Sequence, residues 1–168
     1  MSGPVLNAVP LTAAAFAPFG EVIETAGHTP RLINEGTSER FDDLTPVDVL
    51  AEGGRPLISI FRAMPRPVPF VVKGMERHPW SSQAFYPLDG LPYLVVVAEP
   101  GDAPWETRIR AFRAAGNQGV NYRRGTWHHA LLALGKTCDF LVVDRGGTGE
   151  NCEEVGVEPG VTVVVRHP

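Results

Sequence analysis

The chain has 168 residues, of which 43% are hydrophobic and 20% charged. This length suits one domain with a well-buried core, and the composition is that of a globular rather than a disordered protein. The formal net charge of -4 provides no basic surface to neutralise phosphates, which argues against a nucleic-acid partner. We therefore expect a single domain that spans residues 1–168.

Cysteine content and the absence of apolar runs bear on the compartment. The two cysteines, Cys138 and Cys152, form no CxxC pair. Lone thiols are typical of a reducing compartment without a disulfide framework. The first 20 residues lack a basic start and are interrupted by prolines, so they make a poor signal peptide. No run reaches the ~20 apolar residues of a membrane span. The sequence predicts a cytoplasmic protein with no membrane partner.

The N-terminal third contains one helical signal and one long polar region. Thr12 is a suitable N-cap for a short helical turn over Ala13–Ala17, and Pro18 ends it. The region Asn34–Gly54 is polar and acidic. We expect it to cross an edge or an end of the main structure.

Short apolar runs separated by Gly and Pro indicate many strands and turns, which favours an all-β sandwich or barrel. The predicted strands are Leu57–Phe61, Phe70–Val72, Gln83–Tyr86, Tyr93–Ala98, Cys138–Val143 and Val161–Arg166. Asp102–Ala115 fits two alternatives: a helix capped by Asp102, or a turn followed by a strand over Arg108–Phe112.

A first candidate site lies in the segment from Gly74 to Gln83. Glu76 and His78 are two residues apart, so on a strand they point to the same face. Gln83 can return to that face after a turn over His78–Ser82. A carboxylate, an imidazole and an amide oxygen could hold a divalent metal, or without a metal they could bind a small polar substrate. A surface turn with a satisfied histidine is the alternative.

A second candidate site lies between Gly119 and His129. Gly125 predicts a tight turn that enters a strand. The adjacent His128 and His129 then face opposite sides of that strand, so only one can line an interior. Both candidate sites resemble the two metal-binding stretches of cupins, with Glu76 in place of the first His and Gln83 in place of the Glu.

Arginines are candidates for gripping a carboxylate group in bidentate fashion. Arg62 follows an apolar run, and Arg123 and Arg124 precede His128. Arg145 follows Asp144 and fits a purely structural turn equally well. For each arginine the alternative is a solvated surface charge.

The chain resembles the ureidoglycolate lyase family over nearly its full length. Five ordered motifs carry this resemblance: Leu11-Thr12 with Phe16–Ile23, Ile58–Ala63, Met75–Pro79 with Ser82–Phe85, Gly119–Tyr122 with Trp127–His129, and Phe140–Leu141 with Val143–Gly147 and Asn151-Cys152. The resemblance implies a cupin-type double-stranded β-helix, or jelly-roll barrel, and a homodimer. It also implies that the protein is a carbon–nitrogen lyase of allantoin and purine breakdown, which cleaves (S)-ureidoglycolate to glyoxylate and urea.

This reading assigns a role to each candidate residue. The catalytic candidates are His78, His128 and Glu76. The metal candidates are Glu76, His78, Gln83 and His128, and the family resemblance implies a divalent ion such as nickel. The candidates for substrate binding are Arg62, Gln83, Asn121, Tyr122 and Arg123.

Three other functions remain open at this point. The barrel with its His/Glu cluster also suits a sugar epimerase or isomerase, although the full-length motif match argues against it. A non-catalytic cupin would bind a small acid without turnover. An amidohydrolase would attack the ureido carbonyl and release ammonia, but the chain lacks the His-rich two-metal pattern that such hydrolysis often uses.

Overall fold

A computed structural model describes residues 2–105 and 108–166 of the chain. Strands dominate these ranges, and the helical elements are short: α1 (Ala13–Phe16) and two single 3-10 turns (Asn34–Gly36 and Ala51–Gly53). The strands are β1 (Val5–Asn7), β2 (Val9–Pro10), β3 (Gly20–Ile23), β4 (Arg31–Ile33), β5 (Ser38–Arg40), β6 (Arg55–Ala63), β7 (Phe70–Arg77), β8 (Gln83–Pro87), β9 (Tyr93–Ala98), β10 (Arg110–Ala114), β11 (Gly119–Tyr122), β12 (Trp127–His128), β13 (Leu132–Ala133), β14 (Cys138–Gly146) and β15 (Glu153–Val164).

Two large sheets form a nearly closed barrel. One has the strand order β1-β15-β7-β12-β9-β10-β2, with β13 also paired to β9, and the other has the order β3-β11-β8-β14-β6. The hairpin of β4 and β5 forms a separate two-stranded sheet. This architecture confirms the prediction of an all-β, cupin-type barrel.

Each of the six predicted strands coincides with or overlaps an observed one, because period-2 apolar patterns and Gly/Pro turns are local signals. The helical turn is also confirmed, since Thr12 Oγ1 accepts a hydrogen bond from the Ala15 N–H at 3.2 Å. In Asp102–Ala115 the strand alternative is right, and the strand is β10. Two residues of that segment, Glu106 and Thr107, lie outside the described residues. No helix in the described ranges has the length and apolar character needed to cross a bilayer.

The core consists of two apolar clusters that take alternate residues of the central strand β9. Val95 and Val97 belong to the cluster between the two sheets, whereas Leu94 and Val96 belong to the cluster on the opposite face of the larger sheet. All six residues of β9 are buried, which is why this strand reads as a continuous apolar run. The central strand thereby fixes the position of β12, which pairs with it directly.

A glycine turn brings the second candidate site next to the first. Gly125 has φ +78°, a left-handed conformation that glycine adopts without steric cost. Its N–H donates to the carbonyl oxygen of His78 at 3.0 Å. The chain then enters β12, where His128 is the register partner of Glu76 on β7. Sheet register therefore places the two segments side by side.

Candidate active site

Glu76, His78 and His128 form a compact cluster of possible metal ligands. One ligand atom from each of the three lies within 4.8 Å of the others. Glu76 and His78 come from the end of β7 and the residue beyond it, and His128 comes from β12, which pairs with β7. The structure thus brings together three of the residues that the sequence predicts for catalysis and metal binding.

The hydrogen bonds of His78 define where its protons lie. Its Nδ1 is 2.7 Å from the carbonyl oxygen of Asn151, which can only accept, so Nδ1 carries a proton. Its Nε2 is 3.0 Å from Oε1 of Gln83. The amide of Gln83 is oriented by its own Nε2, which donates to Oδ2 of Asp144 at 3.2 Å. His78 Nε2 therefore faces an acceptor, and this contact needs either a second proton on the ring or a cation.

His128 is neutral and has an unused nitrogen. Its side chain is buried, and Nδ1 is 3.3 Å from the carbonyl oxygen of His129, to which it donates. Nε2 then has a lone pair, and this buried atom has no hydrogen-bond partner among the described residues. Burial, followed by the charge on His78, lowers the pKa of His128 to about 3. The imidazole is therefore available as a ligand or a hydrogen-bond acceptor at neutral pH.

Glu76 and His128 of this cluster, together with Gln83, border a cavity of about 240 Å³. His78 lines a separate cavity of about 260 Å³, which also has Gln83 in its wall. The walls of the 240 Å³ cavity combine apolar side chains with polar groups, namely Phe61, Arg62, Ala63, Glu76, Gln83, Phe85, Tyr122, His128, His129, Ala130 and Leu131. The volume suits a small polar molecule rather than a large ligand. Burial raises the pKa of Tyr122 well above its usual value, so its phenol stays protonated and can donate.

Glu76 also borders a second cavity, of about 400 Å³, whose walls include His128, His129 and Glu154. Oε2 of Glu76 is also 3.7 Å from Sγ of Cys152, which lines the same cavity as His78. Burial and the negative charge of Glu76 raise the pKa of the Cys152 thiol to about 11, so it is protonated at neutral pH. Glu76 therefore belongs to two groups of possible ligands, one with the two histidines and one with Cys152 and Glu154.

The structure does not bring Asn121 and Arg123 to the 240 Å³ cavity that Tyr122 lines. Tyr122 on β11 packs into the barrel core, and its two sequence neighbours point the other way because side chains alternate along a strand. Asn121 Nδ2 donates to Oγ1 of Thr45 at 2.7 Å. Arg123 Nη2 donates to Oε1 of Glu21 at 3.2 Å. Both side chains are thus engaged outside the cavity.

Arg62 borders the cavity but is already paired. Its Nε and Nη2 donate to the two carboxylate oxygens of Asp139 at 2.8 and 2.9 Å. The Arg62 side chain is 71% exposed, so its charge is accessible at the cavity rim while it is paired. Arg124 forms a similar pair with Asp48, and Arg145 donates to the carbonyl oxygens of Ala51 and Glu52. Of these arginines, Arg62 is the one that borders the cavity.

The sequence patterns predict no role for Asn151 and only a structural one for Asp144. Beyond its carbonyl contact with His78, Asn151 accepts the N–H of Trp80 at 2.7 Å through Oδ1 and donates to Ser81 Oγ at 2.8 Å through Nδ2. Asn151 therefore makes hydrogen bonds to three residues of the turn, His78, Trp80 and Ser81. An Asn next to Cys152 in a family motif was the available signal, but its partners lie about 70 residues away in the chain.

Comparison with known proteins gives a consistent result. The family model described as ureidoglycolate lyase matches residues 3–164. The chain is similar to a protein named ureidoglycolate lyase from Burkholderia mallei (strain NCTC 10229), with 58% identity over 149 residues that cover 89% of this chain and 87% of the relative. It is also similar to proteins of the same name from Burkholderia cepacia (53% identity, 94% and 90% covered) and Rhizobium etli strain CFN 42 (52%, 97% and 96% covered).

Proposed function

Because this chain belongs to the ureidoglycolate lyase family, we propose that it cleaves (S)-ureidoglycolate to glyoxylate and urea in allantoin breakdown. The observation that carries the proposal is the cluster of Glu76, His78 and His128, of which Glu76 and His128 line a small cavity. One domain spanning residues 1–168 carries this activity.

The chemistry of the substrate explains why such a cluster is suitable. Ureidoglycolate is a carbinolamide, in which one carbon bears a hydroxyl, a carboxylate and the ureido nitrogen. Cleavage removes the hydroxyl proton, forms the carbonyl of glyoxylate and breaks the carbon–nitrogen bond. The departing nitrogen takes up a proton and leaves as urea. One general base and one general acid are sufficient, and no covalent intermediate is needed.

We assign these two roles to Glu76 and His78. Glu76 is a half-buried carboxylate between the two cavities, and it acts as the base that receives the hydroxyl proton. His78 keeps a proton on Nδ1 through Asn151, and in the metal-free protein a second proton on Nε2, beside Gln83, is the one that goes to the departing nitrogen. His128 stays neutral and accepts a hydrogen bond from the substrate. The phenol of Tyr122 and the amide of Gln83 contact the ureido group.

The same residues fit a divalent metal. His128 has a buried nitrogen without a hydrogen-bond partner in the described ranges, and Nε2 of His78 faces the amide oxygen of Gln83. A cation bound between these atoms would satisfy all three. Glu76, His78, Gln83 and His128 would hold it, and nickel suits a set of imidazoles and oxygen ligands. When bound, the ion would supply Lewis acidity toward the substrate hydroxyl and positive charge toward its carboxylate. Arg62 would supply further positive charge at the cavity rim.

We further propose that the protein is a homodimer that acts in the cytoplasm. The homodimer follows from the family resemblance. Cys138 and Cys152 are both free thiols in the structure, which supports a reducing compartment.

A product assay tests the function. Purified protein is incubated with fresh ureidoglycolate, and glyoxylate, urea and ammonia are followed together, with spontaneous decay subtracted. The lyase predicts glyoxylate with stoichiometric urea and no ammonia. Ammonia in place of urea would identify an amidohydrolase. No rate above background would favour a protein that binds a small acid without turnover.

A binding experiment tests the metal separately from activity. Chelator-treated protein is titrated with Ni²⁺ in a calorimeter, alongside the Glu76→Gln and His128→Gln variants. We expect one site per chain in the parent and at least tenfold weaker binding in either variant. Equal affinity in all three proteins would overturn the assignment of the ligands and leave the lyase proposal to the product assay.

A further inference from the structure

Strand β6 is a long, unprotected edge. It is the last strand of the five-stranded sheet, and β14 is the strand with which it pairs in the described part of the chain. The strand has nine residues, and its centre, Leu57–Phe61, is apolar except for Ser59. Exposed edges of this length and composition are usually shortened, charged or covered, because their free backbone groups pair readily with another strand.

The outer face of β6 continues this apolar surface across the sheet. Ile58 is 75% exposed and Ile60 is 54% exposed, and both point away from the core that contains Phe140 and Val142. Cross-strand register aligns Ile58 with the half-buried Val143 of β14, beyond which Ala84 of β8 is buried, and aligns Ile60 with the half-buried Leu141 and Tyr86. A contiguous apolar face of this kind marks an interaction site rather than scattered surface residues.

The next cross-strand pair on the same face consists of one positive and one negative side chain, so its net charge is zero. Arg62 and Asp139 are register partners and form two hydrogen bonds with each other. The outer face beside the β6 edge therefore presents apolar side chains and a neutralised pair. A second copy of the same surface can approach it without like-charge repulsion.

We propose that β6 pairs edge to edge with β6 of a second copy, antiparallel about a twofold axis at Ser59. The inference rests on the homodimer of the proposed function and names its surface. In this register the apolar residues meet apolar residues: Ile58 faces the partner's Ile60, and Leu57 faces the partner's Phe61. Arg62 faces the partner's Pro56 and Arg55 faces the partner's Ala63, so no two arginines are opposed.

Because the sequence of β6 matches its own reversed copy, a second copy of this chain is the molecule that best fits the exposed edge. A twofold interface uses the same patch on both subunits, so the patch must match its own reversed copy, and the centre of β6 does so residue by residue. The pairing would also join two five-stranded sheets into one and remove both free edges. Because Phe61 and Ala63 line the candidate active-site cavity, the interface would hold the wall of that site in place.

A charge substitution tests the surface. The molar mass of the parent and of the Ile60→Asp variant is measured by sedimentation at equal concentration. We expect the parent at twice the 18.2 kDa of one chain and the variant at half the mass of the parent. The matched control is Leu32→Asp, which places a carboxylate at another exposed apolar position, 64% exposed on β4, and keeps the mass of the parent. Circular dichroism verifies that each variant is folded.

A cross-linking pair tests the register. In the proposed register Ser59 faces its own copy, so the Ser59→Cys variant is expected to form a disulfide-linked dimer on mild oxidation. The Ile58→Cys variant should not, because its two copies would be diagonal neighbours about 7–8 Å apart, beyond disulfide reach. The parent, with its own Cys138 and Cys152, is oxidised in parallel as the background.

The outcomes separate this inference from the proposed lyase. A monomeric parent, or an Ile60→Asp variant that keeps the mass of the parent, would overturn the β6 interface. Cross-linking through Ile58→Cys but not Ser59→Cys would overturn the register. The product assay on the parent tests the chemistry alone, so production of glyoxylate and urea by a monomer would reject the interface and retain the function.

Discussion

The imidazole of His128 lies parallel to the phenol ring of Tyr122, with 4.3 Å between the ring centroids and 10° between the planes. The stack covers one face of the imidazole with an aromatic ring and removes it from water. It explains why burial is the largest cause of the low pKa of His128. The neutral ring with its unpartnered nitrogen is the feature on which the first prediction depends.

Replacement of His128 by alanine should abolish most turnover while the protein stays folded. We expect kcat/KM to fall at least a hundredfold, because the acceptor or ligand nitrogen is lost from the cluster. His129→Ala should lose less than tenfold, since that ring packs edge-on against Phe70 at 5.1 Å between centroids. Initial rates of glyoxylate formation give the comparison, and parent-like activity of His128→Ala would contradict the assignment.

Acid should destabilise the protein through the same histidine. Folding lowers the pKa of His128 from 6.5 to about 3, so between these values the unfolded chain binds a proton that the folded chain does not. The free energy of unfolding should fall as the pH drops below about 6.5, by up to about 1.4 kcal/mol per pH unit from this group. Burial lowers the pKa of His129 as well, which acts in the same direction.

Urea denaturation at several pH values between 7 and 5 measures this effect. His128→Gln removes the titrating group, so its stability should depend less on pH than that of the parent. His28→Gln, at an exposed position, is the matched control and should keep the pH dependence of the parent. An unchanged slope in His128→Gln would show that other groups cause the acid sensitivity.

Asn151 should act as a positioning residue for His78. Asn151→Ala keeps the backbone carbonyl that accepts from His78, but it removes the side-chain bonds to Trp80 and Ser81 that hold this carbonyl in place. We expect kcat to fall about 10- to 100-fold with KM nearly unchanged. Asn151→Asp retains the acceptor for Trp80 and should recover part of the rate. A loss in KM alone would indicate direct substrate contact instead.

Arg62 should contribute to substrate affinity rather than to the chemical step. It borders the cavity, and from there it can attract a substrate carboxylate while it stays paired with Asp139. Arg62→Gln is expected to raise KM about tenfold with kcat within about twofold, the pattern of lost uniform binding. Arg31→Gln removes an exposed arginine that pairs with Asp42 and should leave both constants unchanged. Sedimentation of Arg62→Gln verifies that its subunit assembly is intact.

Much of the fold could be predicted because its signals are local. The run Tyr93–Ala98 predicts β9 with the observed bounds, since a central strand buried on both faces is apolar throughout. The Asp102–Ala115 segment is ambiguous by sequence because Ile109 and Phe112 could share a helix face and do not alternate cleanly with their neighbours. The strand forms because Arg110–Ala114 pairs with β9. The position of Glu76 and His78 on the same face likewise follows from the alternation of side chains along a strand.

Local sequence patterns predict the all-β class, the short helix at Thr12, and Glu76, His78 and His128 as candidates for one site. The folded barrel is needed to see that Asn121 and Arg123 bond elsewhere and that Asn151 and Asp144 support the site. It is also needed to see that, among the described residues, β6 pairs with β14 alone. His78 and Asn151 are 73 residues apart in the chain. Contacts of this kind depend on the order and register of strands, which arise from the packing of the whole barrel and are not encoded in any local pattern.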